Sequence, residues 1–305
     1  MSENLHVTPE WIAVDWGTSN LRAWAMGPGG AVLAEAASDR GMGALAPAGF
    51  EPALLALVGP WLGAAPVPVL ACGMVGARQG WVEAAYRAVP CTPLGAPFTR
   101  APAADPRLDV RIVPGLSQAR PADVMRGEET QIAGFLATHP GFDGVLCLPG
   151  THTKWVHISA GEVVSFATFM TGEIFALLSR QSVLRHSLGE GAEDGGFAEG
   201  VADALSRPER LAGQLFGLRA GGLLGQIGPG AAKARLSGLL IGAELAAARP
   251  YWLGREVALI GAEGLAGLYA EALAGQGLVA RQVDASAMTL AGLAAARDLM
   301  KESAA

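Results

Sequence analysis

Residues 12–24 read IAVDWGTSNLRAW, and residues 145–156 read VLCLPGTHTKWV. Each is an apolar run, then Gly-Thr, then a polar turn, then a second apolar run. Each therefore predicts a strand–turn–strand unit, with Gly17-Thr18 and Gly150-Thr151 at equivalent points. Both continue to a glycine-marked hairpin, at Gly29-Gly30 and at Gly161. The same device in both halves of the chain predicts a duplication. Two turns rich in backbone N–H and hydroxyl donors suit a polyphosphate held between two lobes, which points to nucleotide-dependent phosphoryl transfer.

Bulk properties narrow the alternatives. At 305 residues the chain is long enough for two domains, each burying its own core. With 51% hydrophobic and only 16% charged residues it lies far from the disordered regime. Net charge is −6 and no block of Lys or Arg occurs, which argues against a nucleic-acid surface. A phosphate ligand must then be held by local donors. Mean hydropathy is positive, yet the longest apolar stretches, such as 66–77 and 236–248, are too short for a membrane span or carry a charge. The opening MSENLHVTPEW lacks the basic and apolar regions of a signal peptide. Cys72, Cys91 and Cys147 are odd in number and form no CxxC, so they read as reduced small hydrophobes in a cytoplasmic protein.

Along the chain, residues 11–37 predict strand–turn–strand–turn–strand, 52–62 a helix, and 67–72 a buried strand ending at Gly73. A short strand is expected at 111–113, then a helix from 122–123 to about His139. The second lobe opens near Asp143, followed by helices at 172–184, 201–215 and 231–249. Residues 257–260 predict a buried strand and 265–273 a helix. Strands alternating with helices, and hairpins opening each half, make an α/β fold with mixed sheets. The boundary is expected between Pro114 and Asp143. The lobes are then 1–116 and 117–305, with the C-terminal helix packing back on the first.

The arrangement resembles the sugar kinase / heat-shock 70 / actin superfamily, whose two ribonuclease-H-like lobes clamp ATP in the cleft between them. The first phosphate loop resembles Asp15-Trp16-Gly17-Thr18-Ser19-Asn20-Leu21-Arg22, the second Pro149-Gly150-Thr151-His152-Thr153-Lys154, and the adenosine segment Gly261-Ala262-Glu263-Gly264. Within the superfamily, VDWGTSNLRAW, ACGMVGARQGW, VMRGEETQIAGFL, LPGTHTKWV and FMTGEIFALL together resemble the 2-dehydro-3-deoxygalactonokinase family. That resemblance implies ATP- and Mg²⁺-dependent phosphorylation of the terminal hydroxyl of a six-carbon keto-deoxy sugar acid. Other sugar or sugar-acid acceptors, an actin- or chaperone-like ATPase and a polyphosphate hydrolase are the competing readings of the same fold. A homodimer is an admissible assembly.

Each motif has a chemical use beside a bland one. Asp15 ends an apolar strand, where a carboxylate is costly unless it faces a polar cleft; there it would orient Mg²⁺ through waters, or simply cap the turn. Gly17 admits phosphate to the backbone, while Thr18, Ser19 and Asn20 supply donors and Arg22 a neutralising charge. Gly150, Thr151 and Thr153 form the matching loop, with Lys154 as a second cation or a solvated lysine. His152 and His157 lie five apart, a spacing that suits neither helix nor strand ligation of zinc.

Phosphoryl transfer to an alcohol needs a carboxylate base. Superfamily sugar kinases of the glycerol type place an aspartate in Gly-Asp-Gln, and Gly127-Glu128-Glu129-Thr130-Gln131 stands there instead. Direct matching favours Glu128, spacing to the Gly-Thr loop favours Glu129, and both also suit a helix N-terminus. In the loop at 73–81, Arg78 has the fork to grip a carboxylate, Gln79 an amide for a hydroxyl, and Trp81 a wall for the 3-deoxy side; the bland alternative is an exposed loop arginine and a core tryptophan. Glu173 lies in Thr171-Gly172-Glu173, a helix start that either meets an anion or is merely capped. Gly261 and Gly264 would let adenine lie against backbone, although the spacing is not a dinucleotide fingerprint.

Overall fold

The computed structural model describes residues 7–190 and 196–302; residues 1–6, read above for a leader, lie outside it. Its chain forms two compact units. The first comprises the chain up to Phe142, Ala160–Val164, and the segment from Ala285 onward; the second comprises Asp143–Ser159 and Ser165–Asp284.

In the first unit, β1 (Trp11–Trp16), β2 (Leu21–Met26) and β3 (Val32–Ser38) form the expected meander, followed by α1 (Phe50–Val58) and β4 (Val67–Gly73). The short strands β5 (Tyr86–Ala88) and β6 (Thr99–Arg100) precede β7 (Leu108–Ile112). Next come β8 (Gly115–Gln118), β9 (Asp123–Met125) and helix α2 (Glu128–Thr138). The main sheet runs β3-β2-β1-β4-β7-β6, and β5-β8-β9 make a small second sheet. Pairing of β9 with β8 keeps residues 123–125 extended, so α2 starts at Glu128 and not at 122–123.

Strand alternation sorts β1 into two faces. Ile12, Val14 and Trp16 pack with Phe50, Leu54 and Trp61. Trp11 and Ala13 pack on the other face with Leu70, Cys72, Ala133 and Leu293. Ala133 is on α2, and Leu293 is on the C-terminal helix α9, assigned below, which returns to this unit. Gln131 Nε2 donates to Thr289 Oγ1 at 3.2 Å across the same pair of helices. The first unit therefore extends past the expected division at 116/117 to include α2, and it also includes α9, the C-terminal helix read above as packing back on it.

The second unit repeats the plan. Strands β10 (Gly144–Leu148), β11 (Thr153–Ser159) and β12 (Glu162–Phe169), the last belonging to this unit from Ser165 onward, form the second meander and lead into α3 (Thr171–Arg180). Helices α4 (Gly196–Ser206), α5 (Leu211–Leu223), α6 (Pro229–Ala247) and the short α7 (Arg249–Trp252) follow. The unit ends with β13 (Val257–Gly261), α8 (Glu263–Ala274) and β14 (Arg281–Asp284), after which α9 (Ala285–Glu302) returns to the first unit. The helix expected at 201–215 is two helices because Pro208 opens a separate 3₁₀ turn and cannot continue α4. The sheet order is β12-β11-β10-β13-β14.

In both units a central strand pairs antiparallel with the next strand and parallel with a later one, as in β1 with β2 and β4, and β10 with β11 and β13. The fold is the α/β arrangement of two ribonuclease-H-like lobes. Every residue of β10 and β13 is buried, as suits strands covered on both faces. Among the described residues no helix is long and apolar enough to cross a membrane.

Candidate active site

In the first unit, register brings the polar groups together. Asp15 lies opposite Arg22 on β2 and opposite Cys72 on β4, so these side chains share the sheet face covered by α2 and α9. Arg22 Nη2 donates to Asp15 Oδ2 at 2.7 Å, and its Nη1 donates to Ser286 Oγ at 2.5 Å. Asp15 keeps 20% of its side chain exposed. The turn at residues 17–20 closes through Gly17 N–H to the Asn20 carbonyl at 2.9 Å, leaving Thr18, Ser19 and Asn20 exposed. Met42 and Gly43 N–H back this turn by donating to the carbonyls of Gly17 and Thr18, each at 2.9 Å.

Two glycines place α2 beside this cluster. Gly73 (φ +91°) ends β4 in a conformation L side chains avoid, and a Cβ there would lie 2.7 Å from the Trp16 carbonyl. Gly127 (φ +104°) opens α2, and its Cβ would lie 3.3 Å from the Gly73 Cα. Two bare backbones thus meet where any side chain would separate the helix start from the end of β4.

The two glutamates at that helix start are not equivalent. Glu129 has no exposed surface; its Oε2 accepts from Gly127 N–H at 2.6 Å and its Oε1 from Thr130 Oγ1 at 3.1 Å. Burial first, and then the neighbouring Glu128, push its carboxyl up to about 8, against the pull of the backbone hydrogen bonds and Arg126. Glu128 is half-buried, and its Oε2 accepts from Arg126 N–H at 3.1 Å.

The Arg126 guanidinium, unassigned from sequence, is buried over the Tyr86 ring at 4.3 Å. Its Nη2 donates to the Ala84 carbonyl at 2.7 Å, while Nε and Nη1 meet no hydrogen-bond partner. On the loop after β4, Arg78 is 80% exposed with a long ion pair to Glu83 at 3.5 Å, and Gln79 is exposed. Trp81 takes the core place and not that of a substrate wall. It is only 9% exposed and stacks on Phe50 at 6.3 Å in the core, because apolar neighbours on α1 and β1 claim the indole.

The second Gly-Thr device differs chemically from the first. Leu148 lies opposite Lys154, as Asp15 lies opposite Arg22, so the duplicated hairpin carries its carboxylate once. Gly150 is partly exposed and Thr151 exposed, but Thr153 and Lys154 are buried. Thr153 cannot serve as a loop donor as it stands: its hydroxyl is 2.9 Å from the Tyr269 hydroxyl, inside the unit. Lys154, likewise, is not the solvated side chain weighed above.

Helix α3 closes on the loop. Glu173 N–H donates to the Thr151 carbonyl at 3.0 Å, and a Cβ on Gly172 would collide with the Gly150 carbonyl. The Glu173 carboxylate takes His152 Nε2 at 2.6 Å, so this acid is already engaged by the loop. Gly150, Thr151, Thr171 and Gly172 line one side of a cavity of about 380 Å³, with Phe175 from α3 and Leu265, Leu268 and Tyr269 from α8. Gly261 is buried at the end of β13, and Gly264 is exposed in the first turn of α8, one residue before Leu265. The cavity is of the size and apolar character that takes a small planar ligand, with the loop's donors at one edge.

Sequence reasoning missed Tyr269, Phe175 and Glu244. The signal for the last was present, because Glu244 is the lone charge in the apolar run 236–248.

Comparison with known proteins gives one answer. A family profile described as 2-keto-3-deoxy-galactonokinase matches residues 15–296. A Rhizobium meliloti protein assigned as a 2-dehydro-3-deoxygalactonokinase is 42% identical over 295 residues, 94% of this chain and 96% of the relative. The 2-dehydro-3-deoxygalactonokinase of Escherichia coli is 38% identical over 252 residues, 80% of this chain and 82% of the relative. A crystal structure from Sinorhizobium meliloti, assigned the same activity, superposes with a TM-score of 0.87 at 42% identity. It covers 95% of this chain and 99% of its own.

Proposed function

The chain belongs to the 2-keto-3-deoxy-galactonokinase family, and on that premise we propose that it transfers the γ-phosphoryl group of ATP to the C6 hydroxyl of 2-dehydro-3-deoxy-D-galactonate. The hydroxyl oxygen forms a bond to the γ-phosphorus as the bond to the β-phosphate oxygen breaks. The hydroxyl proton passes to a carboxylate, and ADP and the 6-phosphate leave.

Glu128 is the carboxylate this reading assigns as the base. A base must touch the acceptor hydroxyl. Glu129 has no exposed surface and both its oxygens are engaged, whereas Glu128 is partly exposed in the first turn of α2. Glu129 then holds Gly127 and Thr130 in place, keeping the helix start against Gly73.

The residues present fit a Mg²⁺ ion that arrives with the nucleotide. Mg²⁺ takes one or two protein carboxylates and keeps several waters, and Asp15 supplies one carboxylate. Its Oδ2 is held by Arg22, and its Oδ1 faces the side-chain-free Gly73. When bound, the ion neutralises charge on the β- and γ-phosphate oxygens. Gly17, Thr18, Ser19 and Asn20 offer donors to phosphate oxygens, and Arg22, braced by Asp15 and Ser286, keeps its charge beside them.

In the second unit, Gly150 and Thr151 serve phosphate, and the cavity beside Leu265 and Leu268 takes the adenosine. Arg78 and Gln79, exposed on the loop that follows Gly73, offer the acid a carboxylate fork and a hydroxyl partner.

The observation that carries this reading is the abutment of Gly73 and Gly127, which sets the carboxylates of Asp15 and of the α2 start on one unit. The test is ADP release with MgATP and a panel of acceptors: the galactonate keto-deoxy acid, its gluconate epimer, galactonate, galactose, glucose and none. Turnover confined to the galactonate derivative, with a C6 phosphate in the product by ³¹P NMR, is expected. Equal ADP release without an acceptor would replace the kinase by an ATPase.

A further inference from the structure

Helix α6 runs through the second unit, and Glu244 near its end is 3% exposed. An isolated carboxylate at that depth is strongly disfavoured, yet three elements aim donors at this one. Trp155 Nε1 on β11 donates to Oε1 at 2.7 Å, Tyr269 on α8 donates to Oε2 at 2.8 Å, and Thr171 Oγ1 at the start of α3 donates to the same Oε2. The tyrosine has one proton and gives it to Glu244, so it accepts from Thr153 on β11, 2.9 Å away. The pattern suits an ionised, acceptor-only carboxylate.

Two of these donors, Thr171 and Tyr269, line the 380 Å³ cavity together with Gly150 and Thr151. Thr171 also opens the helix whose next two residues are wedged against the Gly150 and Thr151 carbonyls. A single buried charge therefore braces both walls of the cavity and, through α3, the Gly-Thr loop at its edge. We propose that Glu244 is a positioning residue for nucleotide binding, whose carboxylate sets the affinity of the second unit for the adenine nucleotide by holding Thr171 and Tyr269. This rests on the reading that the cavity takes the adenosine.

The same carboxylate makes that affinity depend on pH. Burial pushes Glu244 up to about 7, against the pull of its hydrogen bonds from Thr171, Trp155 and Tyr269. The titratable groups facing it are Cys147 on β10 and Tyr269 on α8, and burial raises both well above their ordinary values. Glu244 is thus the member of this cluster that changes charge near neutrality. Once protonated it must itself donate, and it no longer accepts from Trp155, Thr171 and Tyr269 together.

The test is calorimetric titration of ADP into wild type, Glu244→Gln, Thr171→Val and Thr171→Ser at pH 6 and pH 8. The amide copies the protonated acid. At pH 8, E244Q is expected to bind about tenfold more weakly than wild type, the loss typical of a hydrogen bond to a charged group. At pH 6 that gap should largely close. The ligand's own titration is common to all four proteins and drops out of the comparison. T171V should reproduce the loss and T171S restore binding, which keeps the test decisive even if E244Q folds poorly. Wild-type ADP binding with T171V unchanged would overturn this inference alone, as would an E244Q deficit equal at both pH values. Failure of the wild type to bind ADP would overturn the nucleotide reading and this inference with it.

Discussion

Replacing Glu129 with Gln swaps one buried carboxyl for an amide of the same shape. The amide can still accept from Gly127 N–H and meet the Thr130 hydroxyl, so the local packing survives. What changes is proton binding. A glutamate titrates near 4.5 when exposed, and burial beside Glu128 moves Glu129 to about 8. At roughly 1.36 kcal/mol per pH unit, the interval between those values corresponds to a limit of roughly 5 kcal/mol. Because the folded-state value is raised, the proton's contribution to stability is complete below 4.5 and is lost as pH rises through about 8. The variant lacks that slope. Urea unfolding of both proteins at pH 5, 7 and 9 should show E129Q gaining on the wild type by several kcal/mol across the series. At pH 7 the wild-type side chain is roughly ten to one protonated, so E129Q should keep near-wild-type kcat, whereas E128Q should lose on the order of 10²- to 10⁴-fold. A stability difference that does not change with pH, or a kcat loss confined to E129Q with E128Q intact, would refute the reasoning.

Three further substitutions test the other assignments. Asp15→Asn leaves a partner for Arg22 but removes the carboxylate proposed for Mg²⁺; kcat should fall about 100-fold or more, with a higher Mg²⁺ requirement in a metal titration. Trp81→Ala should cost about 3–5 kcal/mol of stability in urea unfolding, because the indole is core; the KM for the sugar acid should stay unchanged in the folded fraction. Arg78→Ala should leave stability within about 0.5 kcal/mol and raise KM for the sugar acid far more than for ATP; equal effects on both would remove it from acid recognition.

Much of the architecture is legible in the sequence because its signals are local. An apolar run followed by Gly-Thr is enough to mark β1 and β10 as equivalent, and the order of strands and helices follows from periodicity and turn chemistry. The acid at the end of β1 and the glutamate pair opening α2 are visible as polar residues set at the ends of apolar runs. Local signals also mislead where two outcomes share one pattern. Trp81 in a polar loop reads the same whether its ring lines a site or fills a core. Lys154 reads the same whether it is solvated or buried.

The remainder belongs to contacts between distant segments. Arg22 meets Ser286 across 264 residues, and Glu244 meets Thr171 across 73. Periodicity says that a helix has a buried face, but not which helix or strand will cover it. The sequence by itself determined the duplicated α/β plan, the two Gly-Thr turns and the residue types able to handle phosphate. Only tertiary packing decided which glutamate of the pair is sealed and which is reachable, where the first unit ends, and that one buried carboxylate braces the cavity. Those outcomes depend on burial and on hydrogen bonds that exist only once remote elements have closed on one another.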